Sequence, residues 1–535
     1  MHLPRRTRFL VLALLTVAWT TVTGQPVVSW QVVDDPSGGQ HDELTRVRIG
    51  PDGSVFLAGV VADPVELDGF ALIRHSPSGQ LLWSVSYQGP GSTIDRVSDL
   101  AVTASGAYIV GESTSLTSRS LVTRVHDFDG QLAWSAEFPV SAPRLGYRNA
   151  AIAVASDGSV TVAATEAGDI RVLRYDGSGV MSWTAVYDGP NAGEDGLYTM
   201  KTDSTGSVLI NGIVGLSSNG TFIAKYSPTG QFQWEHQILG AFGGIVSPSH
   251  MTIGVGDRVI ATSGHETPCG LFEYRTVQIA SDGTLEWEVD YHGPAVCDSS
   301  DPRGNVTAPD GTVVVTGSGV TGETTGFSDI VTVAYDAAGG TAWVRRLDLP
   351  GAVVDRANAI ALGSEGTNDW AVYLTGSSVS GIALDSVLAR YEPDGTLAWT
   401  VDLVAPGGFL YYGDLLAVRG RRIVVASTVV DGGDQDYFTQ VFDLAPQFVR
   451  ADCNTDSAVD VADAIHALTA LFGAGGAPGC TDACDANDDG HFDLGDPIST
   501  LGLLFSAGAP PPPPFPGCDS DPTPDSLDCA ASAGC

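Results

Sequence analysis

From residue 27 to about residue 442 the chain is built of short runs in which apolar and polar residues alternate, the period-two pattern of a strand with one buried face. Turn-forming residues separate the runs at regular places. In Pro51-Asp52-Gly53-Ser54-Val55-Phe56-Leu57-Ala58-Gly59 and Pro309-Asp310-Gly311-Thr312-Val313-Val314-Val315-Thr316-Gly317 an Asp-Gly turn leads into a strand that ends on glycine. A second unit ends on tryptophan. Ser76-Pro77-Ser78-Gly79-Gln80-Leu81-Leu82-Trp83 and Tyr391-Glu392-Pro393-Asp394-Gly395-Thr396-Leu397-Ala398-Trp399 each read as a glycine turn inside a hairpin.

The tryptophans give the period. Trp30, Trp83, Trp134, Trp183, Trp234, Trp287, Trp343 and Trp399 are 53, 51, 49, 51, 53, 56 and 56 residues apart. Two hairpins per repeat make a four-stranded unit, the blade of a β-propeller, with each Trp wedged between neighbouring blades. The last repeat, containing Arg421-Arg422-Ile423-Val424-Val425-Ala426, runs to Phe442 without a downstream Trp, and Trp30 has no upstream hairpin partner. An N-terminal strand that completes the last blade leaves no free edge. The expected fold is therefore all-β, an eight-bladed β-propeller, with seven blades as the alternative. Ala151-Ile152-Ala153-Val154-Ala155-Ser156-Asp157-Gly158-Ser159-Val160 and Val208-Leu209-Ile210-Asn211-Gly212 resemble the SBBP class of bacterial β-propeller repeats. That resemblance spans about residues 27 to 447; it implies the fold and leaves the activity open.

In such a blade the tight glycine turns share one face, so the variable segments 112–118, 318–327 and 377–384 gather on the other, where binding loops belong. Cys269 and Cys297 both fall on that face and are expected to staple its loops. Acids precede the first strand of several repeats: Asp42, Asp95, Asp195, Asp355 and Asp414, with Asp298 and Asp301 in another. They either cap the strand-entry turns or ring the axial opening.

At Asp452 the pattern changes. Two twelve-residue segments repeat at a constant offset of 33: Asp452, Asn454, Asp456, Asp460 and Asp463 match Asp485, Asn487, Asp489, Asp493 and Asp496. Oxygen donors at positions 1, 3, 5, 9 and 12, with the position-7 carbonyls of Ala458 and His491, are the spacing by which one loop wraps a calcium ion. Two Ca2+ sites are expected. Gly490 stands at position 6 of the second loop and Ser457 at position 6 of the first, which favours the second site. His466 and His491 are read as exposed rather than as transition-metal ligands. A helix should follow each loop, with Ile465, Leu468, Leu471 and Phe472 in one stripe and Ile498, Leu501, Leu504 and Phe505 in the other.

This duplicated loop and helix resembles a type I dockerin over about residues 451 to 508. The resemblance implies attachment to a cohesin-bearing partner. Positions 10 and 11, which help choose the cohesin in that family, are Val461-Ala462 and Leu494-Gly495 here.

Composition narrows the function classes. With 63 acidic against 26 basic side chains the net charge is −37, which opposes binding to nucleic acid or an anionic membrane. Arg5, Arg6 and Arg8 before an apolar run to Trp19 read as a signal peptide over 1–24, without a membrane span in the mature chain. Of eight cysteines, six follow residue 450, so an exported chain should be stapled there; their 15 connectivities stay open. The organisation is then signal peptide 1–24, propeller 25–448, calcium module 449–508, and a Pro-rich spacer with a Cys-bearing tail 509–535.

No zinc motif of the H-E-x-x-H type, G-x-S-x-G elbow or phosphate loop occurs. The leading reading is a secreted or cell-surface binding or scaffold protein without catalytic residues, its partners a cohesin-like or other cell-surface protein, or a glycan. A polysaccharide-active enzyme is the first alternative, since dockerins accompany such domains. The second is a quinone-cofactor dehydrogenase, whose Gly-x-x-x-Trp repeat is resembled by Gly339-Gly340-Thr341-Ala342-Trp343; the chain lacks the adjacent cysteines those enzymes carry.

Overall fold

The computed structural model describes residues 26–37, 41–62, 69–141, 150–189, 193–215, 220–239, 250–266, 272–293, 299–320, 328–349, 354–364, 370–380, 383–405, 410–431, 434–473 and 476–521, with 523, 525, 527 and 529. Cys269, Cys297 and Asp298 lie outside them. The chain divides into two compact units, one of Trp30–Arg419 and Ile423–Val441, the other of Phe442–Cys535 with Gly420–Arg422 and the residues just before Trp30.

The first unit is all-β. Its alternating runs pair into four-stranded antiparallel sheets in chain order, for example Gly196–Thr202, Val208–Val214, Gly220–Tyr226 and Phe232–Leu239. The two middle strands of that sheet are buried along their whole length, whereas the outer strand is for the most part half-buried or exposed. The turns are fixed by their acids. Asp203 Oδ1 accepts the N–H groups of Thr205 and Ser207, both at 2.9 Å, and Gly206 takes φ 79°. Cores form between successive sheets: Ile170 and Val172 of one meet Ile210, Phe222 and Ala224 of the next.

Six sheets have four strands, and one of eight strands joins two such sets through the single parallel pair Ser328↔Val354. Strand Val27–Asp34 is the fourth member of the sheet formed by Leu410–Arg419, Arg422–Asp431 and Asp434–Asp443. The first strand of each sheet packs on the first strand of the next, and Leu410–Arg419 packs on Glu43–Ile49. An all-β architecture of this kind is that of a β-propeller.

The tryptophans link neighbouring sheets by one recurring contact. The indole N–H of Trp30 donates to Pro77 O (2.9 Å), Trp83 to Phe128 O (2.8 Å), Trp183 to Pro228 O (2.9 Å) and Trp343 to Pro393 O (2.9 Å). Trp134, Trp234 and Trp287 do the same toward Gly177, Ser281 and Ala337. The turn glycine that follows each acceptor lies against the ring. Gly230 has φ 81°, and a Cβ there would sit 2.7 Å from Trp183 Cδ2. Trp399 is buried and its Nε1 finds no acceptor among the described residues. Its place in the series explains this, because the sheet after Trp399 takes its outer strand from residues 27–34 and has no third-to-fourth-strand turn to offer a carbonyl. Gly230→Ala should lower stability by about 2–4 kcal/mol, combining a left-handed backbone with overpacking, as read by denaturant unfolding.

The second unit holds helices α1 (Val461–Phe472), α2 (Thr481–Cys484) and α3 (Gly495–Ser506), and a two-residue ladder between Gln447–Phe448 and Asp519–Ser520. Disulfides join Cys453 to Cys484 and Cys480 to Cys529. Among the described residues no helix is long and apolar enough to cross a membrane. The Pro-rich segment expected to act as a spacer is instead packed within this unit: Pro511 and Pro514 are buried, and the carbonyls of Pro513 and Pro514 accept from Arg450. Prolines lack an N–H, so a run of them leaves carbonyls free for such a donor.

The helix stripes also differ from expectation. Ala464 and Ala467 of α1 and Pro497 and Thr500 of α3 are buried, whereas Ile465, Phe472, Ile498 and Phe505 stand exposed. Small residues let α1 and α3 pack closely and turn the large side chains outward.

Candidate functional site

The two loops adopt the same conformation before any ion is considered. In the first, Asp452 Oδ1 accepts from Asp456 N (3.1 Å) and Oδ2 from Ser457 N (2.9 Å); in the second, Asp485 Oδ1 accepts from Asp489 N (3.3 Å) and Oδ2 from Gly490 N (2.9 Å). Asn454 Oδ1 and Asn487 Oδ1 hold the same two N–H groups of Asp456 and Asp489, each at 3.0 Å. Position 5 in turn holds position 7. Ala458 N donates to Asp456 Oδ1 and His491 N to Asp489 Oδ1, each at 3.0 Å.

The last acid of each loop folds back onto its ninth position. Asp460 N donates to Asp463 Oδ2 and Asp493 N to Asp496 Oδ2, both 2.8 Å, while Asp460 Oδ1 caps α1 through Ala462 N at 2.6 Å and Asp493 Oδ1 accepts from Gly495 N at 2.6 Å. All twelve expected positions are thus arranged in two matching loops. The left-handed sixth position explains the preference for glycine: Gly490 has φ 75°, and Ser457 adopts φ 71° without that freedom.

Electrostatics show what these loops require. Asp452, Asp463, Asp485 and Asp496 are all at most 1% exposed, and no Lys or Arg occurs after Arg450. Burial first, then neighbouring carboxylates, pushes Asp452 and Asp463 above the usual carboxylate range. Burial and the facing Asp485 push Asp496 up to about 7, and Asp496 Oδ1 is buried without a donor. Buried oxygens with no cation among them, in this spacing, fit calcium, which would neutralise them. His491 and His466 are both exposed.

Arg450 was not singled out by the sequence pattern, though it is the only Lys or Arg between residues 450 and 535. It is fully buried. Nη2 pairs with Asp488 (2.9 Å) and Asp521 (2.7 Å), Nη1 donates to Asp485 O (2.9 Å) and Nε to Pro513 O (3.0 Å). It therefore ties the second loop to the Pro-rich segment. Asp525 completes an acidic group there with Asp485 and Asp488.

In the first unit the strand-entry acids prove to be buried staples. Asp95 Oδ2 accepts from Gly89 N (2.6 Å), Asp195 Oδ2 from Gly189 N (2.6 Å) and Asp355 Oδ2 from Leu349 N (2.7 Å), each six residues back. Asp42 holds Ser37 N (3.1 Å) and Ala62 N (3.2 Å). The capping explanation applies to these four; Asp301 instead pairs with Arg303 at 3.0 Å, and the side chain of Asp414 lies outside the described residues. Near Asp301 a cavity of about 200 Å³ opens among Ser299, Arg303, Ser318, Ser328 and Arg356.

Burial pushes Asp42 up to about 7. Folding then takes up a proton between the unfolded carboxylate value of about 4 and 7, so stability falls as pH rises through that window. Asp42→Asn should flatten the fall, measured as the difference in melting temperature between pH 5 and pH 8.

No known family matches the chain, and no curated protein matches it. Similar solved structures include a quinohemoprotein alcohol dehydrogenase from Pseudomonas putida HK5 (12% identity, TM-score 0.45, 76% of each chain). The polysaccharide lyase Uly1 is similar at 11% identity and TM-score 0.42, over 64% of this chain and 89% of that one. The β-propeller domain of the Trilobed protease from Pyrococcus furiosus is similar at 9% identity and TM-score 0.38, over 65% and 94%.

Proposed function

We propose that the chain is an exported, non-catalytic binding or scaffold protein, an eight-bladed SBBP-like β-propeller joined to a type I dockerin-like module. That module holds two calcium ions through Asp452, Asn454, Asp456, Ala458, Asp460 and Asp463, and through Asp485, Asn487, Asp489, His491, Asp493 and Asp496. The observation that carries the reading is the duplicated loop, whose backbone N–H groups already hold each side chain in matching geometry. Two disulfides accord with an oxidising compartment.

Attachment is supported by the exposed apolar side chains of α1, of α3 and of the residue just before α3, which repeat at the same offset of 33: Val461 with Leu494, Ile465 with Ile498, Phe472 with Phe505. Apolar groups repeated on a surface this way suit a protein partner of the cohesin or cell-surface kind. The eight-blade count is supported by the succession of first strands that returns to its start, and by the strand from residues 27–34.

The test is capture of cell-envelope proteins on the immobilised full chain with calcium and with chelator. Recovery of a partner only with calcium, lost in an Ile465→Glu, Ile498→Glu double variant, is expected. Capture that ignores both chelator and variant, or no capture at all, would sink the attachment role.

A further inference from the structure

The chain carries a net charge of −37, yet cations gather where its sheets meet. The first strands of the sheets bear Arg46, Arg48, Arg96, Lys201, Arg303 and Arg356. Three of these converge. Arg48, paired with Phe56, and Lys201, paired with Leu209, occupy the same register position in their sheets, one pair before the last of the first ladder. They stand at the same height along the axis that the first strands surround. The equivalent residues of three other sheets are Ala153, Thr252 and Val306, small enough to leave room there.

The electrostatics of this group are unbalanced. Asp99 Oδ1 is shared by Arg46 Nε (3.1 Å) and Arg48 Nη2 (3.3 Å) and also accepts Leu100 N (2.9 Å), while Oδ2 accepts Ile152 N (3.2 Å). No described carboxylate pairs with Lys201, whose ammonium lies within electrostatic reach of Arg48, Asp99 and Arg46. Three cations therefore face one carboxylate whose oxygens are already engaged. Arg48 keeps 42% of its side-chain exposure, although desolvation by surrounding protein is what chiefly lowers its pKa. Lys201 is likewise exposed and likewise lowered by desolvation. Both properties together belong to side chains that line a narrow, water-filled passage, where electric fields are focused by low-dielectric walls.

We propose that Arg46, Arg48 and Lys201 form an oxyanion site in the axial passage, which takes one small tetrahedral oxyanion, a sulfate or phosphate, free or carried on a sugar. Convergent guanidinium and ammonium donors are the chemistry that recognises such groups. Asp99 orients the two guanidinium groups, and Lys201 supplies the charge from across the passage. The site rests on the closed ring of the propeller for its placement and is independent of the calcium module.

The test is calorimetric titration of the mature chain at fixed ionic strength with sodium sulfate, inorganic phosphate and glucose 6-sulfate, alongside Lys201→Met and Arg48→Gln. Saturable binding of one anion per chain is expected, weakened at least tenfold in each variant. A preference for the sugar sulfate over both free ions would assign a glycan source, and equal binding a free ion; either supports the site. Folding is checked separately: without anion, Lys201→Met should melt at or above the parent temperature, because a repelled charge is gone, and should lose the rise that sulfate gives the parent. No saturable binding to a folded parent, or unchanged affinity in folded variants, overturns the anion site. A lower melting temperature for Lys201→Met without anion overturns the convergence of charges itself, and with it the ring closure that places them. Neither result bears on calcium-dependent attachment, which has its own readout.

Discussion

Chelating calcium from the full chain should unfold the C-terminal module while the β-sheets keep their own melting transition. Among the described residues no Lys or Arg pairs with the four buried end carboxylates Asp452, Asp463, Asp485 and Asp496, and burying such charges uncompensated is unfavourable by several kcal/mol each. The helices they precede are short, 12 residues each, and bury few apolar side chains of any size. Calcium at 1,000 times its dissociation constant would contribute about 4 kcal/mol per site by linkage. Circular dichroism at 222 nm, with and without chelator, reads the loss; a module that keeps its helices and its melting temperature without calcium would refute the two-ion reading. The sites should also differ. Ser457 at φ 71° takes a conformation that glycine adopts without strain, so Ser457→Gly should tighten the first site by about fivefold, corresponding to about 1 kcal/mol.

Arg450→Met should be the most damaging single substitution in the same unit. The side chains are similar in volume, so the effect isolates charge. Asp488 and Asp521 lose their cation, and the carbonyls of Asp485 and Pro513 lose a donor. Removing one partner of a buried pair costs about 3–5 kcal/mol, because the other is left uncompensated. Asp521 already lies above the usual carboxylate range, chiefly through burial. The deficit should shrink as pH falls and the orphaned acids protonate, and it should shrink at neutral pH when Asp488→Asn and Asp521→Asn are added. Denaturant unfolding under saturating calcium measures both effects.

The parts of this protein legible in its sequence are those in which local chemistry repeats. Turn acids such as Asp203, and glycines such as Gly230, recur because each turn solves the same local problem, and they carried the strand pairing into view. The two matching loops were legible for the same reason: a repeat at an offset of 33 sets the same turn acids, such as Asp452 and Asp485, over the same backbone N–H groups. What escaped notice is nonlocal. Asp42 could cap a turn or ring an opening, and only its burial and its two amide donors decide. Arg450 forms no motif with its neighbours in sequence, since its partners lie 35 to 71 residues away. The apolar stripes of α1 and α3 gave the period but not the covered face, because the fully buried positions are small residues such as Ala464, Ala467 and Thr500, while Ile465, Phe472, Ile498 and Phe505 are exposed.

The strand Val27–Asp34 has a consequence in time. It precedes every other strand of the first unit in the chain, yet its hydrogen-bonded neighbour Asp434–Asp443 follows all the intervening sheets, with contacts such as Gln440 to Gln31 separated by 409 residues. Every intervening sheet can fold on local hairpins while this strand waits with an open edge. Completion of the ring is therefore a late step, reached only after all the intervening sheets have been made, and until then the unit carries an unpaired strand at each end.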